Sequence, residues 1–328
     1  MFTEAIENIL VDQCTPAVIR SIENGGSPTA LWSALADAGF LELMAGEAVG
    51  GAELDLDALF PIFVAFGLHA VPVPAAQSIA ARALLGGAAA TPASMITLAG
   101  HCRRDDDGSV TAAHVAFGAI ADLALADLDG KLLLLDCKRA ERKATGVRGS
   151  LSATLRWPAQ AVPQPIGQNG GEVALFSAAI HAAAIAGAME RLLDMTLAYC
   201  NDRVQFGKPI GKFQAVQHQL SVMAEHVGCA GVAAELPFRP GSRVPSLLAV
   251  ATAKARTSMA VPLVASTAHA LHGAIGVTEE FDLQLYSRRL HEWRMADGSE
   301  AYWNGIVGEA LLAQPQQTTL GFLKEHIL

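Results

Sequence analysis

Apolar positions divide the chain into three stretches. Up to about residue 92 they recur at helical spacing, as in Leu31, Ala34, Leu35 and Ala38, with Gly39 following as a helix stop. From about Ala93 to Gln168 the pattern changes to short alternating or apolar runs. Ser109 to Val115 and Leu132 to Leu135 read as strands, and Asp106-Asp107-Gly108 and Asp129-Gly130 read as turns. After Gly170-Gly171 the helical period returns and continues to the C-terminus. The pattern predicts an α+β fold, mainly α, in three domains: an N-terminal helical domain (1–92), a small middle β domain (93–168) and a C-terminal helical bundle (169–328). No internal repeat is visible.

Composition raises the question of a membrane. Hydrophobic residues make up 52% of the 328, charged residues only 17%, and the mean hydropathy is +0.32. The longest stretches free of charged residues, Ala58 to Ala81 and Thr257 to Thr278, could each span a bilayer core of about 30 Å. The first contains Pro61, Pro72 and Pro74, and the second contains Pro262, His269, His272 and glycines. Neither is therefore expected to form one unbroken helix that closes its hydrogen bonds in lipid. Glu4 and Glu7 occupy the N-terminal segment where a signal peptide carries positive charge. The expectation is a soluble cytoplasmic protein with no membrane contact.

Charge and cysteine usage exclude further classes. The net charge is -9, from 32 acidic and 23 basic residues, so nucleic acid is not an expected partner. Cys14, Cys102, Cys137, Cys200 and Cys229 are odd in number, scattered and never in a Cys-x-x-Cys pair. That pattern argues against a disulfide framework or a zinc site, and no cluster has metal-ligand spacing. The serines lie in no Gly-x-Ser-x-Gly context, which removes the common hydrolase signature.

The candidate chemistry lies in two segments. In Asn201 to His218, the residues Phe206 to Pro209 read as a tight connection between two antiparallel helical runs, Ala182 to Tyr199 and Leu220 to Ala234. The second segment runs from His272 through Gly273, Gly276 and Glu280 to Arg288. The spacing Arg-x-x-Phe-Gly-Lys-Pro-Ile-x-x-Phe-Gln-x-x-Gln-His in the first resembles a signature of the acyl-CoA dehydrogenase family. The second is similar to that family's glycine motif followed by a Glu, with an Arg eight residues later. A shorter match, Asp297-Gly298-Ser299-Glu300, follows. Leu31-Trp32 through Gly39, then Gly50-Gly51, resembles the family's opening, so the resemblance covers nearly the whole chain.

The resemblance implies FAD and dehydrogenation across the α and β carbons of an acyl-CoA thioester. The α-proton of a thioester is weakly acidic, so its removal needs a carboxylate in a dry pocket and an electrophilic clamp on the carbonyl oxygen. Glu280 holds the implied position of the base. Glu279 ranks second, and the structural alternative is a carboxylate pair favouring the next helix N-terminus. Arg203 is the implied pyrophosphate contact, because a guanidinium fork matches phosphate oxygens. Gln205 and Gln214 would bond the adenosine half and Phe206 would pack near it. Gly273 and Gly276 would let backbone approach the cofactor, and Ser299 joins the cofactor set from the third match. The alternatives for these are an exposed arginine and helix-terminating glycines. His218 and His272 read as structural hydrogen-bonders.

The departures point to a partner. The middle-domain loop and the Trp-Thr/Ser element that hold the flavin ring in full-length relatives are missing. Met95 to Gly100 with Arg103 to Gly108, and Ala119 to Asp122, are the nearest echoes. Ala270 replaces a Gln and Ala274 a glycine. The chain is also short for the family, and resembles the small subunits of heteromeric bacterial acyl-CoA dehydrogenases. The implied partners are an acyl-CoA substrate, an electron-transfer flavoprotein, and either a second copy or a longer acyl-CoA dehydrogenase subunit. The rival reading is a non-catalytic subunit that completes the FAD site of that longer chain. A third is an oxidase or flavin monooxygenase on the same fold.

Overall fold

A computed structural model describes residues 2–86 and 94–327. The boundary expected at 92/93 lies outside the described residues. The chain forms two compact units, one made of residues 1–62, 71–180 and 238–246, the other of 63–70, 181–237 and 247–328. As expected, the architecture is α+β and mainly α.

The first unit opens with α1 (Phe2–Gln13), α2 (Pro16–Glu23) and α3 (Thr29–Asp37). Thr15 caps α2 by accepting from the Val18 amide, and Pro16 takes the first helical position, where its missing N–H costs nothing. In α3 the periodic positions Leu31 and Leu35 are buried together with Trp32. Gly39, at φ +79°, ends the helical stretch. Then come α4 (Leu56–Leu68), whose residues 63–68 belong to the second unit, and α5 (Ala75–Leu85); the charge-free stretch from Ala58 breaks between them at Pro72 and Pro74, while Pro61, contrary to expectation, lies inside α4. α5 is buried nearly all round, so its polar groups need partners. Arg82 pairs with Glu42 at 2.7 Å, and the Ser78 hydroxyl bonds both the N–H and the C=O of Ile96.

That hydroxyl ties α5 to the strands. A three-stranded sheet has the order β1 (Ile96–Ala99), β4 (Leu123–Leu128), β5 (Lys131–Asp136), with β1 parallel to β4. An antiparallel sheet has the order β2 (Cys102–Arg104), β3 (Val110–Val115), β7 (Ala153–Trp157), β6 (Glu141–Ala144). Asp129 and Gly130 both have positive φ, as the two-residue β4–β5 hairpin requires. Val110, Ala112, Leu133, Leu135, Leu155 and Trp157 fill the core that the alternation predicts.

The second unit is a helical bundle. It contains most of α6 (Gly171–Asp202), then α7 (Gln214–Glu235), α8 (Leu247–His272), α9 (Leu283–Met295), α10 (Glu300–Leu312) and α11 (Thr319–His326). Between α6 and α7 lies a two-stranded hairpin, β8 (Val204–Gln205) and β9 (Lys208–Pro209). Small residues bring backbones together here: a Cβ added at Gly67 would meet Ala184 O at 2.1 Å, and one at Gly187 would meet Val64 O at 2.0 Å.

The expectation that Pro262 interrupts the second charge-free stretch is corrected. α8 runs through Pro262 without a break. A proline inside a helix removes one rung of hydrogen bonding, and α7, α9 and α10 pack around α8 and hold it in register. By length and composition α6 and the Leu247–Val277 segment could each cross a bilayer, and 78% of the apolar stretch of α6 is buried inside the protein, against 39% for the second.

Candidate functional site

The second unit carries all the candidate residues. α6 ends at Asp202, and the chain turns back through a hairpin closed by the Arg203 C=O, which accepts from the Ile210 N–H at 2.8 Å. Phe206 and Gly207 form its tip with φ of +50° and +79°, a pair of left-handed residues that suits the twist of a two-residue hairpin. The tight connection expected at Phe206 to Pro209 is therefore a β-hairpin. Its tip projects: Phe206 is 90% exposed, and Arg203 and Gln205 are exposed. Phe213 steadies the base, with its ring edge-on to Phe206 at 6.2 Å and the Lys208 ammonium 4.3 Å from its centroid.

Gln214 is the first residue of α7 and is exposed. No side chain caps that terminus. Its free backbone N–H groups and the positive end of the helix dipole favour an anion.

The glycine motif forms the other side. After α8 a tight helical turn covers Gly273–Val277, with Gly273 at φ +64° and exposed, and Gly276 buried. A Cβ at Gly276 would lie 2.9 Å from His272 Cβ and 3.0 Å from Leu283 Cδ2, so close packing favours this glycine. Glu279 and Glu280 follow on a turn before α9, and both are exposed. Neither lies in the first turn of α9, whose N-cap is Asp282. Ser299 is half-buried as the N-cap of α10.

The two motifs meet through an aromatic stack. Tyr199, one turn before Arg203, stacks on His272 with centroids 4.4 Å apart, and Phe281, next to Glu280, stands 5.0 Å from His272 and 6.0 Å from Tyr199. The stack thus connects the root of the hairpin to the turn that carries Glu280. His272 is buried and donates Nδ1–H to Ala268 O at 2.8 Å, in keeping with its expected structural role. Burial lowers its pKa, and the same holds for His269, whose Nε2 lies 2.8 Å from Ser287 Oγ.

Sequence reasoning missed a polar cluster deeper in the bundle. Lys254 of α8 is fully buried, Asp297 pairs with His181 Nδ1 at 2.6 Å, and Arg294 pairs with Glu300. The available signal was a lysine in an alanine-rich helix four residues before Ser258. In the first unit burial pushes the Cys102 and Cys137 thiols up to about 12, which disfavours their thiolates. Among the described residues no group of acidic, His and Cys side chains could hold a metal ion.

In the first unit, the segment Ala119 to Asp122 is engaged internally. Arg142 donates to the Ala119 and Ala121 carbonyls, and the Asp122 carboxylate accepts from the Met95 amide.

Comparison with known proteins gives a consistent picture. The family model for the acyl-CoA dehydrogenase C-terminal domain matches residues 175–312. The chain is 30% identical over 300 residues to the acyl-CoA dehydrogenase IpdE2 of Mycolicibacterium smegmatis, covering 89% of this chain and 91% of that one. It is 29% identical over 301 residues to IpdE2 of Mycobacterium tuberculosis, covering 89% and 90%. Among solved structures, it is similar to a chain of the ChsE4-ChsE5 complex from Mycobacterium tuberculosis, with a TM-score of 0.81 at 23% identity over 95% of this chain and 96% of that one. Butyryl-CoA dehydrogenase from Megasphaera elsdenii gives 0.76 at 17% identity over 95% and 97%. At these identities the structural likeness is one of fold.

Proposed function

Because the chain belongs to the acyl-CoA dehydrogenase family, we propose that it is one subunit of an FAD-dependent enzyme that dehydrogenates an acyl-CoA thioester across its α and β carbons. The cofactor lies between this chain and a longer subunit of the same family. The observation that carries this reading is the outward placement of the cofactor candidates. Arg203, Gln205, Phe206 and Gln214 are all exposed on one hairpin and the helix start behind it. A flavin they hold is covered on its other side by a second chain. Similarity to a chain of the ChsE4-ChsE5 complex supports an assembly of unlike subunits.

The residues fit the group. A guanidinium and an uncapped helix N-terminus suit the pyrophosphate, two amides suit adenosine, and Phe206 supplies a flat apolar face. Gly273 and Gly276 join the set from the turn after α8, and Ser299 is a proposed contact from the far end of α9, at the start of α10. When bound, FAD takes up the hydride from the β carbon. Arg203 orients the dinucleotide, and the Phe206 ring excludes water from one side of it. Glu280 is the proposed base that takes the α-proton on a carboxylate oxygen. A carboxylate in water is a weak base, and its basicity rises only when the turn is desolvated. Coverage of that turn by the partner is therefore part of the proposal. Electrons leave to an electron-transfer flavoprotein, and the assembly works in the cytoplasm.

A second reading rests on two specific observations: Glu280 is exposed on its turn, and the Ala119 to Asp122 segment is already bonded internally. On that reading this chain completes the partner's flavin site and supplies no base. The variant Glu280→Gln decides between them. If Glu280 is the base, the variant complex retains FAD but its flavin is no longer bleached by an acyl-CoA. Bleaching at the wild-type rate assigns the base to the partner.

A further inference from the structure

The second unit contains a buried charge that the proposed reaction does not use. Lys254 Nζ donates to Ser258 Oγ at 3.1 Å, to the Arg294 carbonyl at 3.0 Å and to the Gly298 carbonyl at 3.2 Å. An ammonium has three protons, and three acceptors surround it. Two of those acceptors bracket the turn between α9 and α10. Within that turn Asp297 has φ +54° and Gly298 has φ +103°. Gly298 adopts this region freely, whereas an aspartate there is held by its surroundings.

The charges around Lys254 come from each element of the cluster. Asp297 approaches from the turn, Glu300 from the start of α10 and Arg294 from the end of α9. Asp297 is bonded in turn by His181 of α6, and Glu300 by Arg294. The two carboxylates favour the ammonium and the guanidinium opposes it.

We propose that Lys254 is a positioning residue: its buried ammonium acts as a fixed internal cation that holds the Met295–Ser299 turn in its left-handed conformation and so sets where Ser299 stands. Only the last link, from Ser299 to the cofactor, rests on the proposed function. The cation does for this turn what a bound metal ion does for loops elsewhere. It collects the Arg294 carbonyl at the end of α9 and the Gly298 carbonyl of the turn.

The protonation of Lys254 separates positioning from simple support of the fold. Burial lowers its pKa from 10.5 to about 8, so it is charged at neutral pH. Above about 8 the neutral amine keeps two N–H groups for three acceptors and loses its attraction to Asp297 and Glu300. The turn then loosens. Global stability moves the other way. Between about 8 and 10.5 the unfolded chain binds more protons than the folded one, so the contribution of Lys254 to stability rises with pH.

Hydrogen exchange of the full-length chain between pH 7 and 9.5, corrected for the intrinsic rate, reads this directly. Protection of the Ala296 and Trp303 amides, which bond Glu292 O and Ser299 O, falls at least tenfold with a midpoint near pH 8, while amides in the middle of α8 keep theirs. In Lys254→Met the loss is already present at pH 7 and the step is gone. Flat protection through pH 8 in the wild type overturns the proposal, as does wild-type protection in a folded Lys254→Met chain. Should that variant not fold, the wild-type titration decides alone. Flavin affinity of the complex tests the last link: it falls about tenfold between pH 7 and 9, and Ser299→Ala makes it low and flat. A turn that loosens in a complex unable to bind FAD refutes the cofactor reading and leaves the role of Lys254 intact.

Discussion

Two regions of the second unit, the buried cluster around Lys254 and the hairpin from Arg203 to Pro209, treat their polar groups in opposite ways. In the cluster the charged groups are paired within the chain: Lys254 donates to three acceptors, Asp297 is met by His181, and Glu300 by Arg294. On the hairpin Arg203, Gln205 and the 90% exposed Phe206 face solvent. The charges of the first region are paired by folding alone, whereas the groups of the second face outward. The difference teaches that the fold pairs its buried charges internally and turns the proposed cofactor contacts outward.

The sharpest way to break this contrast is a pair of alanine variants. Asp297→Ala leaves the buried ammonium with one carboxylate fewer and His181 Nδ1–H without its acceptor. It is expected to cost about 3–5 kcal/mol in denaturant unfolding. Arg203→Ala removes an exposed side chain and is expected to change stability by less than about 0.5 kcal/mol, while sharply lowering the flavin held by the complex. Similar stability losses in the two variants would erase the distinction between the regions.

A smaller effect comes from pH. Burial depresses the pKa values of His269 and His272 below the usual histidine range, with His291 adding repulsion at His269. The unfolded chain therefore binds more protons than the folded one below about pH 6.5. The stability these residues contribute is present above that pH and is lost as pH falls through their depressed folded values. Thermal unfolding monitored downwards from pH 7 should show this decline, and His272→Phe, which keeps the stack with Tyr199 and Phe281, should flatten it. An unchanged slope in that variant would remove His272 from the account.

Much of the fold was legible in the sequence because it rests on local patterns. Leu31 and Leu35 followed by Gly39 encode a helix and its stop, and Asp129-Gly130 encodes a hairpin turn. Other features depend on distant partners. Pro262 reads as a helix breaker, but neighbouring helices keep α8 continuous through it. Lys254 reads as one more helical lysine, and two of its three acceptors lie 40 and 44 residues away. Within the candidate site, Arg203, Gly276 and Glu280 stood out in the sequence through their resemblance to the family's motifs. The Tyr199–His272–Phe281 stack that brings the two motifs together was not, since no local pattern links residues so far apart in the chain.

The central claim is that flavin binds only where this chain meets a longer subunit of its family. It is tested most directly by the flavin absorbance and subunit stoichiometry of the protein purified alone and after co-expression with such a homologue. The account predicts a colourless chain alone and a yellow complex of unlike subunits. A yellow preparation of this chain by itself, with FAD at one per subunit, would contradict it.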